Sequence, residues 1–146
     1  MNDRSRCADN PCPVTFALVR AAKAAESRVE SSLDRLGLSM AKIGVLRQLV
    51  VAGEPVALGQ LAERNACVKS NMTQLVDRLE ADGLVTRTSD PADRRSVLAA
   101  ITEEGRRRYE EASRLLAERE QTLVGELGAR GASDVLRLLG RVGVAR

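Results

Sequence analysis

From Val14 to Leu36 apolar side chains recur at steps of three or four: Val14, Leu18, Ala21, Ala25, Val29, Leu33 and Leu36. That spacing places them on one stripe of a helix, and Gly37 is suited to end it. Ser39 can cap a second helix, with Met40, Ile43, Leu46 and Val50 on its apolar face, up to the break at Gly53-Glu54-Pro55. Two short helices follow. One runs from Leu58 to Asn65 and carries Leu58, Leu61 and Ala62. The other follows a turn at Asn65-Ala66-Cys67, carries Met72, Leu75, Val76 and Leu79, and closes at Gly83.

Residues 84–88 and 97–101 read as the two strands of an antiparallel hairpin. Between them lies the turn Asp90-Pro91-Ala92-Asp93-Arg94-Arg95-Ser96, opened by an Asp that can cap backbone donors and a Pro that fixes its own φ. Thr102 is a good N-cap, with Glu103 and Glu104 at the positive end of the next helix. That helix runs from about 103 to 127, with Tyr109, Ala112, Leu116, Leu123 and Leu127 on one stripe. Gly128 and Gly131 are expected to break it, and Ser133 to cap a last helix containing Val135, Leu136, Leu138 and Leu139. Residues 1–12 are polar and Pro-flanked, and read as a loose arm. The pattern predicts a mainly α chain with a small two-stranded β wing, in the order four helices, hairpin, two helices.

Composition narrows what such a chain can do. Its 146 residues include one Phe, one Tyr and no Trp, so Leu, Val and Ala must fill the core. There is no His, which removes the commonest general base. Without a Gly-rich phosphate loop or a nucleophile–base pair, an enzyme is the least favoured class. The three cysteines, Cys7, Cys12 and Cys67, are odd in number and form no CxxC, which argues against a disulfide framework or a zinc site. No cofactor is called for. Lys and Arg total 23 against 20 Asp and Glu, a net +3 that permits nucleic-acid binding without demanding it. No apolar run has the length of a membrane span, and the N-terminus lacks the apolar core of a signal peptide. A cytoplasmic protein is expected, with no membrane partner.

Two short helices followed by a hairpin with a basic tip outline a winged helix–turn–helix. In that device the second helix enters the major groove and the wing touches flanking backbone or minor groove. With Met72, Leu75, Val76 and Leu79 turned inward, Lys69, Ser70, Asn71, Thr73, Gln74 and Arg78 are left for solvent or DNA. Such side chains donate to phosphates, and Asn and Gln can read adenine edges. Arg94 and Arg95 at a hairpin tip are hard to place in a core and easy to place against phosphate.

The run Leu61-Ala62-Glu63-Arg64, then Ser70 through Val85, resembles the MarR (multiple antibiotic resistance regulator) family, as does Asp90-Pro91-Ala92-Asp93-Arg94-Arg95 with Ile101-Thr102 and Gly105. The resemblance covers roughly 14–145 and is most specific over 58–105. It implies one MarR-like domain over 1–146, with dimerisation helices at 14–37 and 103–145 and a winged lobe at 39–101. It further implies a homodimeric repressor-type regulator of a roughly palindromic duplex operator, released by a small aromatic or phenolic effector. Asp93 and Arg95 match a paired Asp and Arg of the family's wing, and Arg94-Arg95 its DNA-contacting tip. The chain departs from the family in the turn: Ala66, Cys67 and Val68 stand where a Gly, an aliphatic residue and a Ser N-cap are usual.

Other readings compete. The charged turn alone also fits a solvated loop whose Asp and Arg pair with each other. Arg106-Arg107-Arg108 fits a solvated helix face paired with Glu110 and Glu111 better than a phosphate clamp. Cys67 fits a half-buried small hydrophobe, or a thiol activated at a helix N-terminus. Some members of the family respond to cysteine oxidation through a reactive Cys early in the first helix. Thr15 is nearer the matching place here, and Cys12 lies slightly upstream. A redox-sensing regulator using Cys7, Cys12 or Cys67 is therefore the alternative, followed by a helical protein-binding adaptor.

Overall fold

Glycines with left-handed backbone, Gly37, Gly53 and Gly83, close three of the helical stretches of this chain. The computed structural model describes residues 12–65 and 67–142 and divides into two units, one ending at Met40 and the other starting at Ala41. In the first unit helix α1 (Pro13–Leu33) runs into a single 3-10 turn, Asp34–Leu36, and ends at Gly37, φ 65°. There Gly37 N donates to Asp34 O and Leu38 N to Leu33 O, the paired bonds that satisfy a helix's last carbonyls. Pro13 opens α1, where its missing N–H costs nothing.

The second unit holds α2 (Met40–Ala52, all but its first residue), β1 (Val56–Ala57), α3 (Leu58–Arg64), α4 (Lys69–Ala81), β2 (Val85–Ser89), β3 (Val97–Ile101) and α5 (Glu103–Arg141). Its core is aliphatic, built from Val45, Leu46, Leu49, Leu61, Met72, Val76, Leu79, Leu84, Val85, Ala99 and Ala112 among others. On α2 the buried arc is Ile43, Val45, Leu46 and Leu49, while Met40 is exposed. The predicted stripe through Met40 and Val50 is therefore rotated from the real one, because α2 is apolar nearly all round and spacing alone cannot orient it.

The sheet has three strands, not two. The order is β1-β3-β2, all antiparallel, with Val56 opposite Ala99 and Val85 opposite Ile101. A two-residue strand after Pro55 is too short to show alternation, and only its pairing with β3 defines it. Strand β2 starts at Val85, one residue later than expected, because Leu84 belongs to the α4 cap. Gly83 (φ 73°) donates to Glu80 O, and Leu84 N donates to Leu79 O.

The expected break between the last two helices is present: residues 103–141 are two helical stretches that meet in a kink at Gly128, whose backbone is non-helical (φ 71°, ψ 156°). Gly131 and Ser133 lie inside the second stretch rather than breaking or capping it. A glycine in a helix lowers its stability by about 1 kcal/mol, and the neighbouring turns can hold it. Among the described residues no helix is long and apolar enough to cross a membrane.

The junction of sheet and α5 is tightly made. Thr102 Oγ1 accepts from Gly105 N (3.0 Å) and donates to Gly83 O (2.8 Å), while Thr102 N donates to Leu84 O (3.0 Å). One threonine thus caps α5 and holds the end of α4. Gly105 is buried, and a Cβ there would lie 2.1 Å from Leu84 O. Only glycine allows α5 to start so close to β2.

Candidate nucleic-acid interface

The two short helices pack on each other, with Leu61 and Ala62 of α3 and Met72, Val76 and Leu79 of α4 buried. Ala62 is the small residue that lets them approach. Cys67 N donates to Ala62 O and closes the turn between them. Helix α4 starts at Lys69 with Val68 as N-cap, and Val68 gives no side-chain cap bond. Its backbone (φ −72°, ψ 148°) is nonetheless extended, the geometry a capping residue needs.

With that face inward, Lys69, Ser70, Asn71, Thr73, Gln74 and Arg78 are all exposed. Thr73 and Gln74 lie three and four residues after Ser70 and four and three before Asp77, which puts these residues on a single outward face. The Thr73 hydroxyl donates to Lys69 O (3.0 Å), which leaves its methyl and its oxygen's acceptor lone pairs to contact a partner. Lys69 and Arg78 form no ion pair among the described residues.

The wing tip is shaped by its two aspartates. Asp90 Oδ1 accepts from Ala92 N (2.8 Å), and Asp93 Oδ1 accepts from Arg95 N (3.0 Å). Ser96 N donates to Asp93 O, and Asp90 N to Ser96 O, closing the loop. The bland alternative, Asp and Arg side chains neutralising each other, is not what the tip shows. Asp93 holds the backbone of Arg95 instead. Arg94 and Arg95 are exposed and form no ion pair among the described residues, so both charges stay available.

Arg106-Arg107-Arg108 behaves as a solvated face. Arg107 pairs with Glu104 (2.7 Å) and Glu111 (3.8 Å), and Arg108 with Glu104 (3.0 Å). The Arg107 hydrogen bond holds the Glu104 carboxyl below its usual range, and Glu104 in turn raises Arg107. Glu104 rather than the expected Glu110 is the hub, because at the second helical position it reaches one turn forward to both arginines.

Arg87, on β2, has a place in this region that pattern reading did not find. Its guanidinium meets Asp77 and Glu80 of α4, with Nε to Glu80 Oε2 at 2.7 Å. Its backbone N also donates to Glu80 Oε1 (3.2 Å). The Glu80 hydrogen bond raises the Arg87 pKa, in keeping with a guanidinium held against two carboxylates. Lys42 pairs with Asp82 (2.7 Å) and ties α2 to the end of α4. The signal in the sequence is Asp77 and Glu80 one turn apart, followed by a basic strand residue just past Gly83.

Of the cysteines, Cys12 is exposed at the start of α1 and Cys67 is half-buried in the α3–α4 turn. Cys7 lies outside the described residues.

The family model of the MarR family matches residues 36–96, the stretch that holds α2, α3, α4 and the wing. The chain is 38% identical over 69 residues to the uncharacterised HTH-type transcriptional regulator YkoM of Bacillus subtilis, covering 47% of this chain and 44% of that one. It is 34% identical over 80 residues to the transcriptional repressor MdtR of the same organism, covering 55% and 51%. The matched stretches thus span about half the length of these relatives. Among solved structures it is similar to the transcriptional repressor CouR bound to a 23-mer DNA duplex (TM-score 0.82, 28% identity, 89% of this chain and 92% of that one). It is similar also to Bordetella bronchiseptica BpsR, from work on the regulation of its DNA binding by 6-hydroxynicotinic acid (TM-score 0.81, 26% identity, 91% and 94%).

Proposed function

Because the chain belongs to the MarR family of transcriptional regulators, we propose that it binds duplex DNA as a homodimer and acts as a repressor released by a small aromatic or phenolic effector. The observation that carries the DNA-binding part is that Lys69, Arg78, Arg94 and Arg95, all exposed on α4 and the wing, form no ion pair among the described residues. Arg87, Arg107 and Arg108 are by contrast held by carboxylates. Arg47, Arg64 and Arg106 are also without an ion pair among the described residues, so it is their placement together on α4 and the wing that singles the four cations out. Cations left free on two neighbouring elements suit phosphate. CouR, of similar fold, is seen on a duplex. In this reading Ser70, Asn71, Thr73 and Gln74 face base edges, Lys69 and Arg78 hold backbone, and Arg94 and Arg95 reach phosphate or minor groove beside them. Asp93 sets the Arg95 backbone. A two-fold dimer presents two such lobes to half-sites one helical turn apart, about 34–36 Å.

The effector part is supported by BpsR, whose DNA binding is regulated by an aromatic acid. It is supported also by Cys67, which is half-buried rather than presented to solvent as a redox-sensing thiol would be.

Operator selection followed by titration against salt tests the DNA reading. Arg94→Ala and Arg95→Ala should each weaken binding to every sequence and lower the salt slope by about one unit, with the fold intact. Unchanged affinity in both removes the wing from the interface. Diamide treatment of the parent, and of a variant with Cys7, Cys12 and Cys67 all changed to Ser, tests the signal. Both proteins should stay on DNA. Release of the parent alone would replace the effector reading with the redox one.

A further inference from the structure

We propose that Arg87 is a positioning residue for DNA recognition: by gripping Asp77 and Glu80 it fixes wing strand β2 against helix α4, so that the base-facing helix and the Arg94–Arg95 tip meet one duplex in one register. The inference rests on the DNA-binding reading above.

The geometry of the wing makes such a clamp necessary. β1 pairs only with Ala99 and Leu98 of β3. Beyond Leu98 the wing is a two-stranded ribbon, last paired at Ser89 and Val97, and isolated ribbons are marginally stable. Pro91 and Ala92, where the wing turns back toward Arg94 and Arg95, lie four and five residues past Arg87, roughly 13 Å at the rise of extended chain. A swing of about 20° at Arg87 would carry the arginines about 4 Å, more than a hydrogen bond tolerates. Arg87 stands where that swing is best resisted. It is mid-strand, opposite Ala99, and its three contacts to Glu80 fix both its backbone and its side chain. The fourth contact, to Asp77, reaches the α4 face that carries Thr73 and Gln74 one turn earlier. Two carboxylates and a guanidinium fork define an orientation as well as a distance, which a lysine cannot do.

Two other roles predict different outcomes. If Arg87 itself contacts phosphate, freeing it should tighten binding. If it only offsets the charge of Asp77 and Glu80, any cation should serve, and removing the two acids should also tighten binding. Positioning predicts the reverse in each case.

The experiment measures affinity for a selected operator and for an unrelated duplex, on the full chain, for Arg87→Lys and for the pair Asp77→Asn with Glu80→Gln. Thermal melting confirms folding. Positioning predicts that both variants lose about tenfold in the operator-to-unrelated ratio, the size of one good base contact. Arg87→Lys with a parental ratio, or a freed Arg87 that binds the operator more tightly, overturns it. Hydrogen exchange on free protein provides a readout independent of DNA. Amides of residues 85–89 and 97–101 should exchange faster in both variants while those of α2 do not change, and unchanged wing exchange overturns the clamp. Should the parent show no preference for any duplex, the DNA reading fails, and exchange still decides whether Arg87 holds the wing.

Discussion

Gly105 shows how one residue without a side chain can fix a junction. Its hydrogen stands where a Cβ would be 2.1 Å from the Leu84 carbonyl and 2.8 Å from Ile101 Cγ1. The Leu84 carbonyl cannot retreat freely, because it accepts from Thr102 N. Gly105→Ala should therefore destabilise the lobe by about 1–3 kcal/mol, the range for overpacking, despite the roughly 1 kcal/mol that alanine adds in a helix. Urea unfolding of the two proteins measures it. A variant as stable as the parent would mean that α5 can slide away from β2 at little cost. The same scale explains Asp93. A carboxylate at the wing tip beside two proposed phosphate ligands is electrostatically unfavourable for DNA, yet it accepts the Arg95 N–H and so shapes the turn that presents both arginines.

At the scale of elements, helix α4 begins without the cap that its position favours. Val68 is 62% exposed and already extended at φ −72°, ψ 148°, so a serine would lose little burial and need no backbone change. Val68→Ser should stabilise the chain by about 1 kcal/mol in the same urea assay. No gain would show that the first turn's donors are already satisfied. This turn was legible in the sequence, because capping is local chemistry: Val68 lacks an acceptor, Gly37 and Gly83 close helices, and Thr102 opens one. The outward side of α4 was legible for a related reason, since Met72, Val76 and Leu79 define the inward side by spacing. Long-range pairing was not. Strand β1 exists only because β3 lies beside it, the α2 face is set by what packs on it, and Arg87 acquires its partners by folding. The Gly128 break was readable, but whether Gly131 ends a helix depends on neighbouring turns rather than on the glycine.

At the scale of the molecule, the apolar surface left uncovered argues for a second copy. The only phenylalanine, Phe16, is 55% exposed on α1, with Val14, Leu18 and Val19 exposed around it. On α5, Leu127, Val135, Leu136 and Leu138 are exposed as well, Leu136 at 70%. A chain with so few aromatic residues would gain little from leaving its one Phe in water. Each fully buried aliphatic or aromatic side chain contributes about 1.5–3 kcal/mol, so covering these faces is a large part of the available stability. A dimer that covers them should persist at nanomolar concentration, and its melting temperature should rise with protein concentration, because association and folding are then linked. Phe16→Asp or Leu136→Asp should shift the protein toward monomer and lower its melting temperature. The winged lobe's own core residues are remote in sequence from both positions, so residual helicity should survive in the monomer. Sedimentation velocity across a dilution series distinguishes the cases. A compact parental monomer with a concentration-independent melting temperature would contradict the dimer, and with it the two-fold operator that the dimer implies.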